Sequence, residues 1–137
     1  MSIYNWDSAS LGLNIPAIDR EHQTLVELMN RVHDLHVANA ARDEIWQALA
    51  KLSRYTTWHF RNEERYMAAT NYLDLSSHRV VHSQLLVRLS AYLRDFDRDG
   101  GQLAKDFFDF LQSWVASHIM GIDRQYAQLG GGAKGVI

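Results

Sequence analysis

At 137 residues and 47% hydrophobic content, the chain is sized for one compact domain with its own core. A formal net charge of −2, with 14 basic residues scattered along the chain, gives no electrostatic footprint for nucleic acid. No apolar run approaches the roughly 20 residues of a membrane-spanning helix, and the N-terminus lacks a secretory signal, so a cytoplasmic protein is expected. The absence of cysteine excludes disulfides, thiolate ligands and cysteine nucleophiles, leaving nitrogen and oxygen, above all seven histidines, as metal ligands.

Residues 1–17 read as an N-terminal arm containing the only proline, Pro16, and Trp6, which is expected to pack on the helical bundle. From there, apolar residues recur at alternating spacings of four and three, the pattern of helices facing a bundle core. A first helix over 19–38 carries the seam Ile18, His22, Leu25, Met29, Val32, His36. A second over 42–70 carries Ile45, Leu49, Leu52, Thr56, His59, Glu63, Tyr66. A third over 76–97 carries His78, His82, Leu85, Leu89, Tyr92, Phe96, and a fourth over 102–129 carries Phe107, Leu111, Trp114, His118. Small residues, Asn71, Ser76, Ser77 and Gly100-Gly101 break the pattern between them and suit helix ends. Residues 130–137, rich in glycine, read as a flexible C-terminal tail. Short links between long amphipathic helices predict an all-α, antiparallel up-down-up-down four-helix bundle within a single domain.

The polar residues on these seams share one depth. His22 lies about 18 residues before the first turn and His59 about 19 after it, and at ~1.5 Å per residue these distances match. His82 and His118 are each about 18 residues from the Gly100 turn. All four helices thus deliver polar side chains to the end of the bundle that holds the second turn. His59 with Glu63, and His78 with His82, are four apart and share a helix face. Asp123, five residues past His118, needs a local departure such as a π-type turn, eased by Gly121, to point the same way.

A lone histidine on an apolar seam is usually a core residue, but agreement of His22, His59, Glu63, His78, His82, His118 and Asp123 in depth, face and type points to one site. Five imidazoles and two carboxylates exceed what one tetrahedral ion takes and suit two ions bridged by carboxylate. Such ligands suit iron, with manganese and zinc as alternatives. Two divalent ions against two carboxylates leave a surplus of positive charge, which invites a bridging oxide or hydroxide and small anions. Compared with the glutamate-rich di-iron sites of ferritin-like bundles, this histidine-rich shell is expected to support mild, reversible two-electron binding of dioxygen. His33 and His36 lie too far along the helix to join and are expected to be structural or exposed, and Glu64, about 100° from Glu63, a solvated charge.

The motifs Asp19-Arg-Glu-His22, His59-Phe-Arg-Asn-Glu63-Glu, His78-Arg-Val-Val-His82 and Trp114-Val-Ala-Ser-His118-Ile-Met-Gly-Ile-Asp123, with Trp6 in the arm, resemble the hemerythrin family, and within it the single-domain bacteriohemerythrins. The resemblance covers nearly the whole chain. It implies a non-haem di-iron protein in which His78, His82 and His118 hold one iron and His22 and His59 the other, with Glu63 and Asp123 bridging. It further implies an open position on the second iron for dioxygen, and an apolar pocket of Leu25, Phe60, Trp114, Val115 and Ile119 above it. Val115 stands where larger aliphatic residues also occur in the family, so pocket size is open. The expected role is oxygen storage, delivery or scavenging by a monomer. A redox enzyme reducing nitric oxide or peroxide at the same centre, or an oxygen or redox sensor, shares every ligand and stays open as an alternative.

Overall fold

The computed structural model describes residues 15–115, 117 and 118. Among them are four helices and no strand: α1 (Pro16–Val37), α2 (Arg42–Ala69), α3 (Leu75–Arg98) and α4 (Phe107–Ser113), arranged up-down-up-down as a four-helix bundle. None of these helices is long and apolar enough to cross a membrane. The N-terminal arm up to residue 14, with Trp6, and the tail 130–137 lie outside the described residues.

The helix ends follow from local chemistry. Pro16 opens α1, where its missing N–H costs nothing and its fixed φ suits the first turn. The first three helices close alike, on a residue at positive φ: Asn39 (52°), Asn71 (56°) and Gly100 (71°). In each case the next N–H returns to a carbonyl of the last turn, Ala40 to Leu35 at 2.9 Å, Tyr72 to Met67 at 2.9 Å and Gly101 to Phe96 at 2.9 Å. These are Schellman closures, which satisfy carbonyls the helix leaves unpaired. Asparagine and glycine are the residues that enter this conformation most cheaply.

The fourth helix differs from the sequence expectation. It begins at Phe107, not at 102, because Gln102–Asp106 cross the end of the bundle before the first buried seam residue. Beyond Ser113 the backbone widens into a π-helical turn that includes Trp114, Val115, Ser117 and His118. The departure from regular helix therefore begins before His118, one turn earlier than expected; Gly121 is outside the described residues.

The seams face inward with two substitutions, the first on α2, where Met67 and not the partly buried Tyr66 ends the seam. Leu35, not His36, continues the α1 seam; His36 is exposed, and His36 and His33 pack on Phe108 with ring centres 5.3 and 4.9 Å away. The main core joins Leu25, Met29 and Val32 with Leu49 and Leu52, Leu89 and Phe96, and Phe107 and Leu111. A second, smaller cluster of Ile15, Ile18 and Met67, backed by Tyr66, Tyr72 and Leu75, closes the opposite end. Between the two lies a polar layer, one turn past Ile18 on α1, one turn before Met67 on α2 and one turn past Leu75 on α3.

Candidate metal centre

Six side chains make up that layer, and all are buried: His22, His59, Glu63, His78, His82 and His118. The depth matching read from the sequence accounts for their meeting, since each helix supplies its residues at the same height. They divide into two groups that share Glu63. Donor atoms of His22, His59 and Glu63 lie within 4.8 Å of one another, as do those of Glu63, His78, His82 and His118. The rings of His78, His82 and His118 form a triangle with centres 4.6, 5.1 and 5.1 Å apart, and those of His22 and His59 are 4.7 Å apart.

Glu63 is the hinge of the arrangement. His22 Nε2 donates to its Oε2 at 3.0 Å. His59 Nε2 and His82 Nε2 both face its Oε1, at 3.1 and 3.3 Å, yet neither is aligned to make a hydrogen bond. The other nitrogen of each ring explains why. His59 Nδ1 donates to Glu21 Oε1 at 2.7 Å, and His82 Nδ1 donates to Glu64 Oε2 at 2.8 Å. With Nδ1–H directed to that carboxylate, Nε2 is the nitrogen left facing the anionic Glu63 oxygen. That position calls for positive charge, supplied by a ring proton or by a bound cation, and a carboxylate behind an imidazole is the usual support for a metal ligand.

The electrostatics point the same way. Burial alone would lower the His59 pKa, but Glu63 and Glu21 outweigh it and hold it above the ordinary imidazole value. Burial alone would raise the Glu63 carboxyl, but His59, His22 and His82 outweigh it and hold it well below the carboxylate range. The site favours positive charge among its nitrogens and an ionised carboxylate at its centre. A donor set of buried imidazole nitrogen and carboxylate oxygen, without sulfur, fits a first-row transition metal such as iron.

Two residues that hold the histidines were not singled out from the sequence. Glu21 was passed over, although it precedes His22 and lies level with His59; Asn62 Nδ2 donates to its second oxygen at 3.2 Å. Glu64 was expected to be a solvated charge. Instead its side chain is only 24% exposed and binds both His82 and Arg79 Nε, the latter at 3.2 Å. The signal available was a carboxylate adjacent to a ligand candidate on two neighbouring helices at one depth.

Of the expected pocket residues, Leu25, Phe60, Trp114 and Val115 are buried in the main core beside this layer. Phe60 stacks flat on His82, with centres 3.8 Å apart at 2°, and lies 5.8 Å from the rings of His59, His118 and Trp114. It is the apolar wall common to both histidine groups. Asp123 and Ile119 lie outside the described residues.

Comparisons with known proteins agree with this geometry. A family model described as the hemerythrin HHE cation binding domain matches residues 13–129. The bacteriohemerythrin of Methylococcus capsulatus is 29% identical over 126 residues, covering 92% of this chain and 95% of its own. The myohemerythrin of Riftia pachyptila is 33% identical over 125 residues, covering 91% and 92%. A crystal structure of wild-type hemerythrin superposes with a TM-score of 0.81 at 29% identity, covering 90% of this chain and 95% of that one. With six buried histidine and glutamate side chains converging where a cation is needed and a family model spanning most of the sequence, the chain belongs to the hemerythrin family of cation-binding domains.

Proposed function

We propose that the chain is a non-haem di-iron protein that binds dioxygen reversibly, serving to store, deliver or scavenge it. The observation that carries the reading is the sharing of Glu63 between two buried donor groups of unequal size, one with two histidines and one with three. His22 and His59 would hold one iron and His78, His82 and His118 the other, with Glu63 and Asp123 bridging. When bound, the iron pair supplies two electrons that it can take back.

The chain's own residues set the conditions for that exchange. The group with fewer histidines leaves a position open to a small ligand. Leu25, Phe60, Trp114, Val115 and Ile119 would keep that position dry, which suppresses loss of a charged oxygen species to water. Glu21 and Glu64 fix the rings of His59 and His82 with Nε2 toward the centre. Their two negative charges also add to those of Glu63 and Asp123, so a divalent pair is close to neutral overall and its burial is less costly.

Purified protein is expected to contain two irons per chain. Exposing the anaerobic ferrous form to oxygen should produce a ligand-to-iron charge-transfer band that disappears on evacuation. Irreversible oxidation within one cycle would overturn the carrier reading, and a chain that takes up no iron would remove the di-iron reading altogether.

A further inference from the structure

Although the 14 basic residues look scattered along the sequence, the fold collects some of them. On α2, Lys51, Arg54, Trp58, Arg61 and Arg65 are all exposed, and at 100° per residue they fall within an arc of roughly 80° over about 21 Å of helix. No acidic residue occurs between Ile45 and Asn62. Among the described residues, Lys51, Arg54 and Arg61 make no ion pair, and Arg65 meets only the Asn62 amide oxygen at 3.4 Å. The α3 helix also lacks acids up to Arg94, but there Arg79 is engaged by Glu64 and Arg88 lies over Phe110.

At the middle of the α2 stripe stands Trp58, half exposed, its ring tilted against Tyr55 with centres 5.2 Å apart. The Tyr55 hydroxyl lies beside Thr24 of α1, and Glu21 and Glu27 of that helix bound the stripe on its flank. An exposed tryptophan ringed by uncompensated cations, on a molecule whose net charge is negative, orients an acidic partner toward one face. The patch is one helix wide, the scale of the small interfaces used in electron-transfer encounters. A polyanion threading across the surface would need several stacking rings, and this stripe offers one. Trp58 is also joined by a single peptide bond to His59, whose Nε2 faces the centre.

We propose that the outer face of α2 docks an acidic one-electron carrier protein, which returns electrons to the metal centre by way of Trp58 and His59. The proposal rests on the di-iron reading. In each encounter the carrier is oxidised by one electron and one ferric ion is reduced to ferrous. Two encounters therefore restore a diferric pair to the oxygen-binding state, and no atom changes hands.

The test titrates the iron-loaded chain with a small acidic [2Fe–2S] ferredoxin. Binding is expected to weaken about tenfold between low and physiological salt, and about tenfold again in R54E/R61E. The milder R54Q/R61Q should fall between, and K105E on exposed Lys105, in the segment leading into α4, should match the parent. Stopped-flow reduction of the oxidised centre by reduced ferredoxin should slow in the same order, while reduction by dithionite stays unchanged. Salt-insensitive binding, or equal loss in K105E and R54E/R61E, overturns the proposal. So does an RNA oligonucleotide or a phosphatidylserine vesicle that binds with this variant sensitivity while ferredoxin does not. A chain without iron overturns the di-iron reading instead, and the titration, which needs no electron transfer, still decides the docking.

Discussion

Toward the turn between α1 and α2, the four helices bury Val32, Leu35, Ile45, Leu49, Phe96 and Phe107; toward the turn between α2 and α3, the same helices bury five imidazoles and a carboxylate. The apolar end is stabilised by removal of hydrocarbon from water and needs no partner. The polar end carries the opposite sign. Each buried donor or acceptor costs free energy unless it is satisfied, and Nε2 of His59 and of His82 face Glu63 without a hydrogen bond among the described residues. One bundle thus has an end that folds by itself and an end that is completed by what it binds.

Metal removal should therefore show the largest effect, and it should be uneven. With each of two ions present at about a thousand times its dissociation constant, binding contributes about 4 kcal/mol per site and about 8 kcal/mol in all, which stripping would remove. Hydrogen exchange should speed up around His22, Glu63 and His78 and change little around Leu49 and Phe96. Uniform acceleration along α2 would show that the two ends are not separable.

The next largest effect belongs to the apolar end. Leu49 is fully buried, and Leu49→Ala should cost about 2–5 kcal/mol through lost burial and the cavity left behind. Denaturant titration should give the same cost with and without metal. A cost that shrinks in the stripped protein would mean that the site end props up the core.

Smaller again is the effect of the carboxylates behind the histidines. Glu21→Gln and Glu64→Gln keep the side-chain size but withdraw the charge that fixes the His59 and His82 rings. Each should weaken metal affinity by about 10–100-fold, with stability of the stripped protein nearly unchanged. Competition with a chelator reads this directly. Since Glu21 serves the two-histidine group and Glu64 the three-histidine group, each variant should preferentially empty its own half. Equal loss from both halves would show that the ions bind only as a pair.

The comparison also explains what the sequence could disclose. The layer of His22, His59, Glu63, His78, His82 and His118 was legible because helical rise and short turns set depth, and the four-three spacing sets the face. Glu21 and Glu64 were not, because each acts across a helix–helix gap, and whether a flank carboxylate turns inward depends on the neighbour's side chain. The start of α4 shifted because the Gly100-Gly101 break marks where α3 ends and not where the next helix begins, and Leu103 packs against the core from the segment between them. The stripe on α2 is hidden in the linear sequence because its four cations and Trp58 are three to four residues apart and align only when projected onto one helix. Asp123, whose spacing requires a departure from regular helix and whose place in the site is implied by the family resemblance, lies outside the described residues.

The smallest effect sharpens the apolar end alone. Gly100 and Gly101 close α3 at φ of 71° and 88°, where an L side chain costs roughly 1–2 kcal/mol. A Cβ on Gly100 would meet nothing, so Gly100→Ala should cost only that backbone strain. A Cβ on Gly101 would come within 2.7 Å of Arg42 Cγ, whose guanidinium pairs with Asp97 at 2.7 Å and ties the start of α2 to the end of α3. Because the obstacle is a flexible, half-exposed side chain, Gly101→Ala should cost only slightly more than Gly100→Ala, by about the worth of one surface ion pair, below ~1 kcal/mol. In an Arg42→Ala background most of the excess should vanish, since Cγ and Cδ are gone and only the Cβ, 3.3 Å away, remains. An excess that persists there would trace the cost to the backbone of the closure itself, and none of these changes should move metal affinity at the far end.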